Sequence, residues 1–263
     1  NKRLTMDVLR QRRQAGALCS NDAKSCYDRI VILLAMLRSR QLGMPQNACS
    51  FLSKFFQDAQ YYIKTQMGVS EESHQCEHGS RQGNKGSPAM WLIVSTLLID
   101  LMSEVTDGAI FYDTISKEDV RRIMDAFVDD TTIFLNLRAG ATVPELAEKL
   151  REAAQWWENV LHTSGGKLEL SKCFYSLLHW VFNEEGEPRI ATKAELDTEI
   201  EIYCSDTKTT SKINHKDCSK ATHVNTDTDT DTDVHTDTHT QTQTRMQAQT
   251  PNEIQTHTPT GKL

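Results

Sequence analysis

Apolar residues recur with the spacing of helices and strands as far as Trp180, and beyond Thr207 they almost vanish. Residues 6–13 read as the end of a helix and 17–20 as a short apolar strand. Within 27–40, Ile30, Leu33, Leu34 and Leu37 share one helical face, and the pattern stops at Gly43 and Pro45. A second helix is predicted over 46–60, leading into a strand at 61–65, a turn at Gly68 and a partner strand at 73–77. After a glycine-rich loop at 78–86, Pro88 opens a long buried helix to about Glu104. Proline there loses nothing, because the first-turn N–H has no helical partner. Two apolar runs, 123–128 and 131–137, meet at Asp129-Asp130 and predict a hairpin. Residues 143–162 form an amphipathic pattern closed by Gly165-Gly166. A last hairpin is expected from 168–180 and 181–190 around a turn at 183–186. This order of elements predicts an α+β fold, an antiparallel sheet packed on helices.

From Thr226 onward Thr alternates with Asp, then with His and Gln. Such text has no apolar face to offset the entropy of ordering, so a disordered low-complexity tail is expected over 191–263, with the folded unit at 1–190. The repeat reads as translated simple-sequence DNA. The longest apolar stretch, 89–102, is interrupted by Ser95, Thr96 and Asp100. It is expected to be too short to span a bilayer, and no membrane partner is predicted.

The formal charge of −7 is concentrated at the C-terminal end. Residues 1–182 hold 21 Lys and Arg against 21 Asp and Glu. A basic footprint, the usual mark of a nucleic-acid binder, is therefore missing from the region that should fold. Seven cysteines without paired spacing predict no disulfide framework and a reducing, intracellular compartment, nuclear or cytoplasmic. His74, Cys76 and His78 alternate on a strand but lack a fourth zinc ligand. Cys204, His215 and Cys218 are likewise one short, in a region expected to be unfolded. Trp156-Trp157 reads as core packing under the sheet.

The chemistry-bearing candidates are carboxylates at strand ends. Asp22 follows the strand at 17–20, and Asp129 with Asp130 occupies the hairpin turn. Two adjacent aspartates beside apolar strands repel one another, and a divalent cation would relieve that repulsion. Mg²⁺ suits carboxylate oxygens combined with substrate phosphates. A two-metal site of that kind activates a hydroxyl nucleophile and stabilises a leaving oxygen. Taken alone, the pair could equally be a polar hairpin tip.

The pair does not stand alone. Asp22-Ala23-Lys24-Ser25-Cys26-Tyr27-Asp28 resembles the first palm motif of the reverse transcriptases, an aspartate followed five residues later by an aromatic. Arg81-Gln82-Gly83-Asn84-Lys85-Gly86-Ser87-Pro88 resembles the second, Phe127-Val128-Asp129-Asp130 the third, and Gly165-Gly166-Lys167-Leu168 with Lys172 the fourth. All four occur in the family's order over residues 10–182, in a form similar to that of non-LTR-type and related eukaryotic retroelements.

This resemblance implies an RNA-directed DNA polymerase palm that uses two Mg²⁺ ions, or Mn²⁺, with an RNA template, a DNA primer and dNTPs as partners. Asp22 and Asp129 would hold metal, with Asp130 in support. Tyr27 would reject a 2′-hydroxyl by bulk, and Arg81, Gln82 and Gly83 would contact the nucleotide and template. Lys172 would be the general acid for pyrophosphate, although a plain surface lysine reads equally well. Tyr27 and Arg81-Gln82-Gly83 favour DNA over RNA synthesis. Phe127 stands where many members carry tyrosine, which removes a hydroxyl and keeps the ring. Only about twenty residues precede Asp22, so the fingers subdomain is expected to be absent and so is the thumb. The missing subdomains could be encoded upstream. The competing expectation is a non-catalytic retroelement fragment that binds nucleic acid weakly at most.

Overall fold

The computed structural model describes residues 2–75, 78–80, 84–137 and 141–218, with side chains from Leu4 onward. Helix α1 (Lys2–Gln11) leads into strand β1 (Gly16–Asp22), the pivot of the molecule. β1 pairs antiparallel on one side with β9 (Asp130–Asn136) and on the other with β10 (Phe174–Leu178). Strand β8 (Met124–Phe127) forms a hairpin with β9, and β13 (Ile200–Cys204) forms another with β14 (Thr209–His215). The resulting six-stranded sheet has the order β13-β14-β10-β1-β9-β8. It is antiparallel except where β14 lies parallel to β10. The fold is therefore α+β with the sheet packed on helices, compatible with a palm.

Alternation along the strands gives the sheet two different faces. Ala17 and Cys19, with Ile133, Leu135, Tyr175 and Leu177 beside them, point into the main core. There they meet α5 (Val143–Thr163), through Leu146, Leu150, Trp157 and Leu161, and α4 (Ser87–Val105). A capping box between Thr142 and Glu145 starts α5, satisfying N–H groups that the first turn leaves free. On the opposite face Leu18 and Leu178 pack under Met6 and Leu9 of α1 and Ile190. That face turns polar toward the end of β1, where Ser20 and Asp22 stand beside Thr132 and Asp130. Apolar cover at one end and an open polar end at the other place the chemistry.

The helix expected over 27–40 is split. Cys26–Arg29 is a 3-10 turn, and α2 (Ile32–Gln41) starts after an extended Ile30. The β-branched run Ile30-Val31-Ile32 disfavours a continuous helix. α2 also exposes Leu33 and Leu37 and buries Ala35, Met36 and Ser39. Arg38 reaches Thr96 and Asp100 of α4, which turns that side of α2 inward. α3 (Gln46–Asp58) packs beside α2, and four two-residue strands follow: β2 (Gln60–Tyr61), β3 (Lys64–Thr65), β4 (Gly68–Val69) and β5 (His74–Gln75). β2 pairs with β5 and β3 with β4. The expected hairpin is thus present, broken in its middle.

α4 is long and apolar enough, by length and composition, to cross a bilayer, which corrects the expectation that this stretch is too short. Its Met90, Trp91, Val94, Leu98 and Met102 are buried in the protein core, while Leu92 and Leu101 are exposed. A hairpin not foreseen from sequence, β6 (Ala109–Tyr112) with β7 (Asp119–Arg122), follows α4. The final predicted hairpin also differs: β10 joins the main sheet, and only β11 (Trp180–Phe182) pairs with β12 (Pro188–Ile190).

The sheet continues beyond Ile190, where the folded unit was expected to end. After the short helix α6 (Lys193–Leu196), Ile200, Ile202 and Cys204 of β13 and Ile213 of β14 are buried in the main core. Ile-Glu-Ile-Tyr-Cys is a half-buried strand whose alternation is easily lost in a polar stretch. Cys204 and His215 are accordingly folded and buried, and His215 stacks on Tyr175 with centroids 4.5 Å apart. Trp157 is in the core as expected, whereas Trp156 is 45% exposed. The Thr/Asp repeat, Cys76, and Arg81, Gln82 and Gly83 lie outside the described residues.

Candidate active site

The polar end of β1 collects four of the candidate side chains. Asp22 is the register partner of Asp130, so the two project from the same face of an antiparallel pair. Directly opposed Cβ atoms lie roughly 4.5–5.5 Å apart, close enough for like charges to destabilise the pairing. Asp129 sits in the two-residue turn between β8 and β9, and its carbonyl accepts a hydrogen bond from the Ala23 N–H at 3.2 Å. Lys172 completes the group, with Nζ 3.5 Å from Asp22 Oδ2.

Asp22 is the enclosed member, its side chain 17% exposed against 66% for Lys172. Burial pushes its carboxyl above the usual range. Lys172 opposes that shift, and the negative charges of Asp129 and Asp130 add to it. Asp129 is half-buried and Asp130 exposed. A second anion beside Asp22 therefore costs free energy that a cation would recover.

Backbone hydrogen bonds fix this edge from two further directions. Lys24 N–H donates to the Lys167 carbonyl at 2.8 Å, and Glu169 N–H donates to the Asp22 carbonyl at 2.9 Å. The 165–172 segment thus runs alongside Asp22, and Lys172 is placed by its N–H donating to the Glu169 carbonyl. Gly165 turns the chain just after α5 at φ +89°, where a Cβ would sit 2.9 Å from the Arg29 carbonyl oxygen. Lys24 and Glu169 form an ion pair at 2.8 Å beside the site.

Tyr27 lies in the 3-10 turn rather than on a helix, partly buried. Burial is the main cause of its raised phenol pKa, and the charges of Cys26 and Asp129 add to it, which puts it within electrostatic reach of the turn. Its carbonyl accepts the Ser80 N–H at 2.9 Å, and the Ser80 carbonyl accepts Ser87 Oγ at 2.9 Å. Gly79 makes this approach possible: at φ +84° it brings the chain so close that a Cβ would lie 2.4 Å from the Asp28 carbonyl oxygen. Both flanks of the 81–83 segment are therefore anchored beside Tyr27.

The turn itself is strained. Val128 has φ +55°, a conformation that a β-branched residue adopts at a cost of about 1–3 kcal/mol. The Val128 carbonyl accepts a hydrogen bond from the indole N–H of Trp91. By sequence Trp91 is one more apolar position of a buried helix; the signal for a further role is that a buried indole N–H needs a partner. Phe127, on the other side of the turn, is 79% exposed.

All donors here are carboxylate oxygens, which suits a hard cation such as Mg²⁺ that draws further ligands from water and phosphate. Among the described residues no group of three or more His, Cys, Asp or Glu is already gathered as a metal cage. A cleft lined by Val31, Leu33, Phe56 and Gly79 lies apart from these carboxylates.

No family model matches the chain, and no curated protein matches it. Among solved structures, it is similar to apo telomerase from Candida tropicalis truncated from its C-terminal domain. That alignment has a TM-score of 0.47 and 14% identity, covering 66% of this chain and 33% of the other. It is similar also to Candida tropicalis telomerase in complex with a TWJ fragment of telomeric RNA, at TM-score 0.45 and 12% identity, covering 67% and 29%. The chain spans about a third of the length of these telomerase chains.

Proposed function

We propose that this chain carries the palm of an RNA-directed DNA polymerase, a reverse transcriptase of a retrotransposon, extending a DNA primer on an RNA template by two-metal nucleotidyl transfer. The observation that carries this reading is Asp22 in register with Asp130 at the polar end of β1, next to the turn that holds Asp129 and 3.5 Å from Lys172. These residues come from three separate motifs of the reverse transcriptase pattern.

Asp22 and Asp129 would hold Mg²⁺ or Mn²⁺, with Asp130 in support. Bound there, the ions would supply charge neutralisation at the triphosphate and a more acidic primer 3′-hydroxyl. Tyr27, held beside the turn, would exclude a 2′-hydroxyl from the incoming dNTP by bulk. Arg81, Gln82 and Gly83, whose flanks are anchored at Ser80 and Ser87, would approach the nucleotide and the template base. Lys172 is exposed enough to meet solvent and could pass a proton from Nζ to the departing pyrophosphate.

A second reading, a non-catalytic retroelement fragment, is favoured by the charge balance. With 21 basic and 21 acidic residues over 1–182, there is no cationic excess to release counterions from a nucleic-acid backbone. Primer extension with Mg²⁺ on a primed RNA template separates the two, run on this chain and on the chain joined to a fingers segment. Extension that vanishes in Asp129→Asn supports the polymerase. No extension from either protein, with both folded, favours the fragment.

A further inference from the structure

We propose that Trp91 is a positioning residue, whose indole N–H holds the Val128 carbonyl and so keeps the strained turn that carries Asp129 against Asp22. Phe127 pairs with Asp130, so Val128 and Asp129 are the two central residues of the turn. A positive φ at the first central position is normally met by glycine. Here valine stands at φ +55°, and something outside the hairpin must hold it there.

Two outside donors do so. Ala23 N–H takes the Asp129 carbonyl, and the Trp91 indole takes the Val128 carbonyl. The dependence is mutual: Trp91 is 4% exposed, and without Val128 its N–H would be stranded in the core. Trp91 is itself fixed, because Ser95 Oγ donates back to its carbonyl and α4 starts at Ser87, whose hydroxyl is tied to Ser80. α4 thereby links the flank of the 81–83 segment to the Asp129 turn in one rigid element. A Trp91 that merely filled space would need its ring and not its N–H.

This inference deepens the polymerase reading and rests on it for the identity of the site, but its test does not require activity. Trp91→Phe keeps an aromatic ring and removes the N–H. In the full chain, amide hydrogen exchange at Ala23, whose N–H donates to the Asp129 carbonyl, reads whether the turn stays in place. When the turn relaxes, Asp129 moves off and Ala23 should lose its exchange protection in Trp91→Phe. Mn²⁺ affinity should fall about tenfold, the usual size of a loss when a group supporting a metal ligand is removed. Adding Val128→Gly, which adopts φ +55° without strain, should largely restore both readings. Unchanged Ala23 exchange in folded Trp91→Phe overturns the proposal. Should that variant fail to fold, exchange of the Trp91 indole proton in the unaltered chain decides: slow exchange supports the bond, and exchange at the rate of free indole overturns it. Faster Ala23 exchange with Mn²⁺ affinity unchanged even in Asp129→Asn supports the positioning role and removes the metal reading instead.

Discussion

Asp22 and Asp130 face each other across the β1–β9 ladder, two carboxylates in register at the end of a strand whose other end is packed under α1. No stability argument favours that pairing. Cross-strand like charges are unfavourable, and the enclosed member has its carboxyl pushed upward by burial and by its neighbours. Lys172, 3.5 Å from Asp22, supplies positive charge that opposes this shift.

Replacing Asp22 by Asn should stabilise the protein at neutral pH. The raised folded-state pKa means the native protein favours protonated Asp22, so stability falls as pH rises through that pKa. Asn removes this loss and the opposition to Asp130, worth about 0.2–1 kcal/mol. The forfeited Lys172 pair, with lysine 66% exposed, offsets little of it. Urea unfolding at pH 4 and pH 7 checks the sign: the variant's advantage should be larger at pH 7.

Lys172→Met should move Asp22 to a still higher titration, because Lys172 is the group that opposes the upward shift. Its effect on stability should stay below about 1 kcal/mol, as expected for an exposed pair. NMR titration and urea midpoints on the same samples test both halves.

Mg²⁺ should raise the unfolding midpoint of the unaltered chain and leave Asp129→Asn unmoved. A ligand that binds only the folded state stabilises it by RT ln(1 + [L]/Kd), about 2.7 kcal/mol at a hundred times Kd. Thermal scans across a Mg²⁺ series, with Ca²⁺ as a size control, provide the measurement.

Gly79→Ala should destabilise by at least about 1–2 kcal/mol, the cost of a left-handed backbone for a residue with a Cβ. The Asp28 carbonyl, 2.4 Å from where that Cβ would lie, leaves no room for relief. Denaturant unfolding of the variant should show this loss, with the Ser80–Tyr27 hydrogen bond disturbed in amide exchange.

Truncation after Ile190 should unfold the domain rather than trim it. It removes β13 and β14, and with them Ile200, Ile202 and Ile213, each worth roughly 1.5–3 kcal/mol when fully buried. Circular dichroism of the truncated chain against the full chain tests this.

What the sequence determined by itself is everything carried by short-range pattern. The β8–β9 hairpin with aspartates at its tip, the amphipathic α5 closed by Gly165-Gly166, and the proline-led α4 all follow from residues a few positions apart. The order of the four motifs adds the candidate residues. Tertiary structure decided the rest. Whether 27–40 is one helix depends on Ile30 and Val31 having an extended alternative beside Gly79. Which face of α2 is buried depends on Arg38 finding Asp100 in another helix. β14 belongs to the sheet only because β10 offers it a parallel edge, a partner that local periodicity does not announce. Val128 holds a conformation its own side chain resists, and a tryptophan 37 positions earlier donates to its carbonyl. Local propensity is a sum over neighbours in the chain, whereas a site is made by neighbours in space, and Asp22 meets Asp130 and Lys172 only after the sheet has formed.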